Sequence, residues 1–182
     1  MRWDRLFDDL EAQLEAADQA ALVAEVADRT PRETATIRLV DRLRGAVDAP
    51  VRLHLQGGAL VQGRVSRVGP EWVLVEEAGG VEHVVRLAAV TGVYGLPAAV
   101  GGPASKVEAR LGIGHVVRGV ARDRLPVAVS RIDAITVTGT VDRVGGDYLE
   151  LAEHPPGEPR RAGEVRAVRL IPCGGFAAIR SC

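Results

Sequence analysis

Between Trp3 and Ala27 apolar side chains return at steps of four and three (Trp3, Phe7, Leu10, Leu14, Ala17, Ala21, Ala24), which lines them up on one stripe of a predicted helix. The stripe fades from Trp and Leu into Ala, so it needs a partner surface and is weak as an independent coiled coil. A second helix is announced by Thr30-Pro31-Arg32-Glu33. There Thr caps, Pro fits the first turn and Glu closes a capping box. Ile37, Leu39, Val40 and Leu43 carry this helix to about Ala46, and Pro50 marks its exit.

From Val51 the period falls to two. Strands are predicted over 51–55, 61–68, 72–76, 82–87 and 90–93, separated by Gln56-Gly57-Gly58, Gly69-Pro70 and Ala78-Gly79-Gly80. Short strands with tight turns predict a small antiparallel barrel, closed or nearly closed. Gly95 to Ser105 is rich in Gly, Pro and Ala and has no period, so it reads as a linker. The pattern then restarts. Ser105 and Glu108 form another capping box, a helical stretch weakened by Gly112, Gly114 and Gly119 runs to about Arg124, and Pro126 ends it.

The restart is an internal repeat. An offset of 76 aligns Pro50 through Val75 with Pro126 through Leu151 without a gap, with eight of 26 positions identical. The two capping boxes fall 75 apart, which extends the repeat backwards through the helix. Farther on, Val85 to Val93 matches Ile171 to Ile179 at an offset of 86, so the second copy holds ten extra residues, placed at His154-Pro155-Pro156-Gly157-Glu158-Pro159-Arg160-Arg161. Such a run cannot continue a ladder and predicts an elaborated loop. Gly63 and Gly139 fall mid-strand, where a small barrel bends sharply, and Gly69 and Gly145 suit turns that need positive φ. In the second copy Leu149 and Leu151 alternate with Tyr148 and Glu150, which directs Tyr148, and by equivalence Trp72, away from the main core.

The predicted fold class is therefore mainly β with helices: two tandem units, each a helix plus a five-strand small barrel, preceded by an N-terminal helix. The expected boundaries are 1–29 for an acidic amphipathic helix, 30–94 for the first helix and barrel, 95–104 for the linker and 105–182 for the second helix and barrel, with the longer loop near 154–163.

Charge adds a polarity that the formal net of −1 hides. Residues 1 to 28 carry eight carboxylates against Arg2 and Arg5, so that segment sums to −6 and the remainder to +5. The plain reading is the solvated face of one helix; the alternative is an acidic arm on a mildly basic body. Only Lys106 among the 23 basic residues is a lysine, a bias that follows from GC-rich coding and does not by itself indicate nucleic acid. Cys173 and Cys182 form no C-x-x-C, which points away from zinc and from a disulfide framework and fits a reducing cytoplasm. Charges at Arg2, Asp4 and Arg5 interrupt any secretory apolar run, and no stretch approaches a membrane span, so a soluble cytoplasmic protein is expected.

Helix, strand, Gly-bent strand, strand, strand and short strand, with x-V-x-L-x-x-G-G-x-x-x-x-G-x-V-x-x-V-G in the first half, resembles the Sm-like family, which includes the bacterial RNA chaperone Hfq. The resemblance covers about residues 31 to 94 and, more loosely, 105 to 180. It implies a five-strand barrel, and a base-holding site at Gly69, Trp72 and Val73 and again at Gly145, Tyr148 and Leu149. The family's stacking residue is kept at both places and its hydrogen-bonding Asn is not. Of its second motif, Ile-Arg-Gly, Val85-Arg86-Leu87 keeps the Arg, and Ile171-Pro172-Cys173 keeps neither Arg nor Gly. The chain also resembles actinobacterial proteins that carry a Fis-type transcriptional-regulator label. A Fis-type reader needs a C-terminal helix-turn-helix, whereas Val165 to Arg180 reads as strand.

Candidate chemistry centres on Trp72 and Tyr148 as flat platforms, with Arg64, Arg67, Arg86 and Arg143 supplying charge, a combination that binds single strands by stacking and phosphate contact. The competing reading makes the two aromatics packing glue between units or copies. His54, His83, His115 and His154 lie on unrelated elements, so no metal is expected, and Cys173 reads as a small buried hydrophobe. No Gly-rich phosphate loop, G-x-S-x-G or paired carboxylates appear, so neither a cofactor nor an enzyme is indicated. Two readings stay open: a non-catalytic binding protein for single-stranded RNA, or a scaffold whose barrel edges and N-terminal helix bind protein partners, including other copies of itself.

Overall fold

Alternation of apolar and polar residues becomes strand pairing from Pro50 onward. In the computed structural model, which describes residues 35–156, 160–161 and 163–182, the strands are β1 (Pro50–Leu55), β2 (Leu60–Val68), β3 (Trp72–Glu76), β4 (Glu82–Arg86), β5 (Val90–Tyr94), β6 (Pro126–Arg131), β7 (Thr136–Val144), β8 (Tyr148–Glu153), β9 (Ala167–Pro172) and β10 (Phe176–Ser181). The helices of the unit Leu39–Cys182, described here by itself, are α1 (Leu39–Arg44) and α2 (Ile113–Asp123). The acidic helix expected over 1–29, the Thr30–Glu33 capping box and part of the long loop near 154–163 lie outside the described residues.

All ten strands form one antiparallel sheet in the order β5-β1-β2-β3-β4-β10-β6-β7-β8-β9. Each half repeats the other residue for residue. Pro50 faces Arg64 as Pro126 faces Thr140, and Trp72 faces Arg86 as Tyr148 faces Pro172. Even the irregularities recur: a bulge at Ser66, between Val65 and Arg67, is matched by one at Asp142, and Leu53 faces Val93 as Val129 faces Ile179. Offsets of 76 and 86 therefore hold in space as they do in sequence. Among the described residues the fourth and fifth strands of one half do not pair with each other. Instead β4 pairs with β10, Val85 facing Ala178, Val84 facing Ile179 and His83 facing Arg180, so the halves are continuous.

Two apolar clusters lie on the sheet, and the first takes in Ala177 and Ala178 of β10 from the second half. Val40, Leu43, Leu53, Val65, Val73 and Val85 are buried in the first. Val117 of α2 joins Val129, Leu149, Leu151, Ile171 and Phe176 in the second, with Ile113, Val120 and Ala121 on the same helical face. Fully burying a side chain of this size contributes on the order of 1.5–3 kcal/mol. The helix expected over 105–124 is shorter than its pattern. The Ser105 and Glu108 capping box forms, with Ser105 N donating to Glu108 Oε2 at 2.8 Å and Glu108 N to Ser105 Oγ at 3.2 Å, but it closes a single turn at Glu108–Arg110. Gly112 interrupts, and α2 begins afresh at Ile113.

Two glycine readings need correction. Gly69 and Gly145 are absent from the positive-φ residues. They are small because an aromatic ring lies on them: a Cβ on Gly69 would fall 2.3 Å from the Trp72 ring, and one on Gly145 would fall 2.4 Å from the Tyr148 ring. Gly63 and Gly139 admit the crossing backbone, since a Cβ there would sit 2.2 Å from Glu76 O and 2.1 Å from Ala152 O respectively.

The Gly95–Ser105 run holds no helix or strand, yet it is tied to α1. Gly101 N donates to Asp41 O at 2.8 Å, Arg42 Nη2 donates to Pro97 O at 2.6 Å, and Gly45 abuts the Ala99 backbone. At the C-terminal end lie strands β9 and β10.

Candidate functional site

The two aromatics occupy equivalent places and differ in cover. Trp72 opens β3 and is 7% exposed, buried where an outward-facing platform is expected. The chain leading into α2 folds over it, and its Nε1 donates to Leu111 O at 2.6 Å. Tyr148, at the start of β8, is half-buried. One of the two predicted platforms is therefore already packed against this chain's own backbone, and the other presents part of its ring.

The four arginines diverge in the same way. Arg86 spans the seam between halves: its Nη1 donates to Gly174 O at 2.9 Å and Phe176 O at 2.8 Å, and its guanidinium lies 5.6 Å from the Phe176 ring centre. Arg64 donates to Asp48 O at 2.6 Å. Arg67 and Arg143 follow the equivalent bulges in β2 and β7 and are exposed. Three separate clefts divide the first-half residues: Arg67 shares one with Trp72, Arg64 another with Gly79 and Gly80, and Arg86 a third with Glu71 and Cys173. Arg64, Arg67 and Arg86 thus line different clefts.

Electrostatics in these clefts are those of local pairing. Glu108 is held below the usual carboxylate range, first by the Ser105 N–H and then by its hydroxyl, with Arg44 and Arg67 adding to the effect. Burial pushes the Cys173 thiol up, partly offset by Arg86. A thiol so raised stays protonated and is a poor nucleophile. Arg169 on β9 is paired with Glu153, which raises its already high pKa.

His154 is buried between Thr140 Oγ1, 2.9 Å from its Nε2, and Pro155 O, 3.0 Å from its Nδ1. His83 Nε2 lies 3.0 Å from Glu77 Oε2. Both rings have local partners. Among the described residues no three of His, Cys, Asp and Glu converge as metal ligands, and no helix is long and apolar enough to cross a membrane.

Sequence reasoning named barrel edges as a surface for association but did not say which strands form them. The sheet ends in β5 on one side and β9 on the other. On β9 Val168 and Leu170 are 53% and 60% exposed, and on β5 Tyr94 is 63% exposed. The signal was present in Ala-Val-Arg-Leu-Ile-Pro (167–172), a mostly apolar strand, but nothing in its composition says that it has a neighbour on one side only.

Comparison with protein-family models, with curated sequences and with solved structures finds no match to this chain.

Proposed function

We propose that this chain is a non-catalytic binding protein of the cytoplasm, a scaffold that associates with other copies of itself through the edges of a duplicated Sm-like unit. The observation that carries this reading is the pair of sheet edges, β5 and β9, that among the described residues pair on one side only. Edge strands are ordinarily protected by charge, proline, a bulge or a covering element. Of these devices the two edges carry few: β5 (Val-Thr-Gly-Val-Tyr) has no charged residue and one irregularity in its pairing with β1, and β9 has Pro172 only at its end and one charge, Arg169, that is engaged by Glu153. The reading of single-stranded RNA as ligand has less support, because Trp72 offers no open face and Arg64 and Arg86 are spent on backbone carbonyls.

The test is light scattering of the purified protein over a wide concentration range, beside Leu170→Lys. The expected result is a mass above the 19.3 kDa of one chain that rises with concentration and falls in the variant. A mass fixed at one chain, together with salt-sensitive binding of labelled single-stranded RNA that Tyr148→Ala abolishes, would transfer the weight to the RNA reading.

A further inference from the structure

In the first half the turn between β2 and β3 holds the opening of α2. Trp72 Nε1 donates to Leu111 O at 2.6 Å, and two residues later Ile113 N donates to Glu71 Oε2 at 3.2 Å. Gly112, at the N-cap, has no side chain to offer, so Glu71 takes one of the N–H groups that a helix start leaves unpaired. We infer that the equivalent turn between β7 and β8, with Asp147 and Tyr148, is a docking surface for the opening of a helix supplied by a partner protein. This surface is separate from the sheet edges, and its use does not depend on self-association.

The backbone of the cradle is the same in both halves. Gly69 N donates to Trp72 O at 2.9 Å, and Gly145 N to Tyr148 O at 2.8 Å. Leu87 N donates to Glu71 O at 2.9 Å, and its counterpart Cys173 N to Asp147 O at 2.6 Å. The rings also lie alike. A Cβ on Gly69 would fall 2.3 Å from Trp72 Nε1, and one on Gly145 would fall 2.7 Å from Tyr148 Cζ, the carbon that carries the hydroxyl. An N–H donor is thus exchanged for an O–H donor, and a Glu carboxylate for an Asp carboxylate. Asp147 is exposed and Tyr148 half-buried, and among the described residues neither side chain has a hydrogen-bond partner.

The occupant of the first cradle defines what fits the second. The partner segment gives a backbone carbonyl to the Tyr148 hydroxyl and, two residues on, the first N–H of a helix to Asp147, whose charge also meets the positive end of the helix dipole. The residue between them is small, since a Cβ on Gly112 would stand 3.4 Å from Glu71 Oε2. Asp147 is one methylene shorter than Glu71, so the helix must come closer. Gly146, where a Cβ meets nothing within 4 Å, stands in place of Pro70 and leaves room for it.

The probe is a fluorescently labelled synthetic peptide of residues 107–124, which carries the segment that fills the first cradle, titrated by anisotropy into the full chain. Saturable binding is expected. Asp147→Ala and Tyr148→Phe in the protein should each weaken it about threefold to tenfold, the range for one hydrogen bond. Ile113→Pro in the peptide removes the N–H while suiting the first helical position, and should cost a similar factor. A double-mutant cycle decides whether the two groups meet: on top of Asp147→Ala, Ile113→Pro should cause no further loss, because both remove the same bond. Losses that multiply would overturn the inference, as would a peptide that does not saturate by about 1 mM. A Tyr148→Phe chain of lower mass than the parent in light scattering would give the face to a second copy, and single-stranded RNA that displaces the peptide would give it to nucleic acid. Either result overturns the partner helix.

Discussion

Ala134 has φ 70°, in the left-handed region that L side chains adopt at a cost, while its counterpart in the first half, Gly58, has φ 77°. The two copies thus share a backbone and only one has the residue suited to it. Ala134→Gly should stabilise the fold by about 1 kcal/mol, read as a rise in the urea midpoint with an unchanged slope. A second residue-scale test uses the ring that lies on Gly145. Gly145→Ala should cost about 1–2 kcal/mol, because its Cβ must displace Tyr148. Gly146→Ala, where a Cβ meets nothing within 4 Å, should change stability by less than about 0.5 kcal/mol. Replacing Tyr148 by Ala in the Gly145→Ala chain should remove most of the cost; a cost that persists would mean that the glycine answers to the backbone. The repeated Gly-to-aromatic spacing was legible from the chain, but its reason was not. A turn glycine and a glycine under a ring look alike until the ring's direction is known.

At the level of elements, strand alternation and turn glycines placed all five strands of the first half within a residue or so, since period and punctuation are local properties. The second helix was harder to place. Ser105 and Glu108 form the expected capping box, yet Leu111 leaves the helix to accept the Trp72 N–H and Gly112 starts a new one, a tertiary contact that no helix periodicity encodes. Arg86 presents the same lesson for the seam between halves. It reads from sequence as a nucleic-acid contact and in space it holds two carbonyls of the other half. Arg86→Ala should lose about 1.5–3 kcal/mol from these charge-assisted bonds, measured by chemical denaturation. Arg86→Lys should recover only part of it, because an ammonium can donate to the carbonyls but cannot reproduce the flat guanidinium beside the Phe176 ring. Full recovery by Lys would reduce the role of Arg86 to charge alone.

For the whole molecule, duplication was legible because identity survives at Pro50, Val51, Gly63, Val65 and Gly69 and their partners, whereas the way the copies meet was not, because β4 and β10 carry no residue that names a partner. A Gly- and Pro-rich linker suggests two bodies free to swing, but the pairing of β4 with β10 and the Trp72–Leu111 bond connect the halves on either side of it. Lys106 makes this testable without mutation. It is the single lysine of the chain, it is exposed, and it lies between the halves, so a lysine-specific protease should yield two fragments, 1–106 and 107–182. If the sheet is continuous, the cut chain should elute under native conditions as one species at the position of the uncut protein and separate only in denaturant. Each half contributes a strand to the other's edge and closes that edge against solvent, so separation would expose Val84 and Ile179 together with two rows of unpaired backbone groups. Arg86→Ala should weaken this hold without abolishing it, so that the nicked variant separates at lower denaturant than the nicked parent. Fragments that part freely after the cut would show that the halves are held by the covalent linker alone.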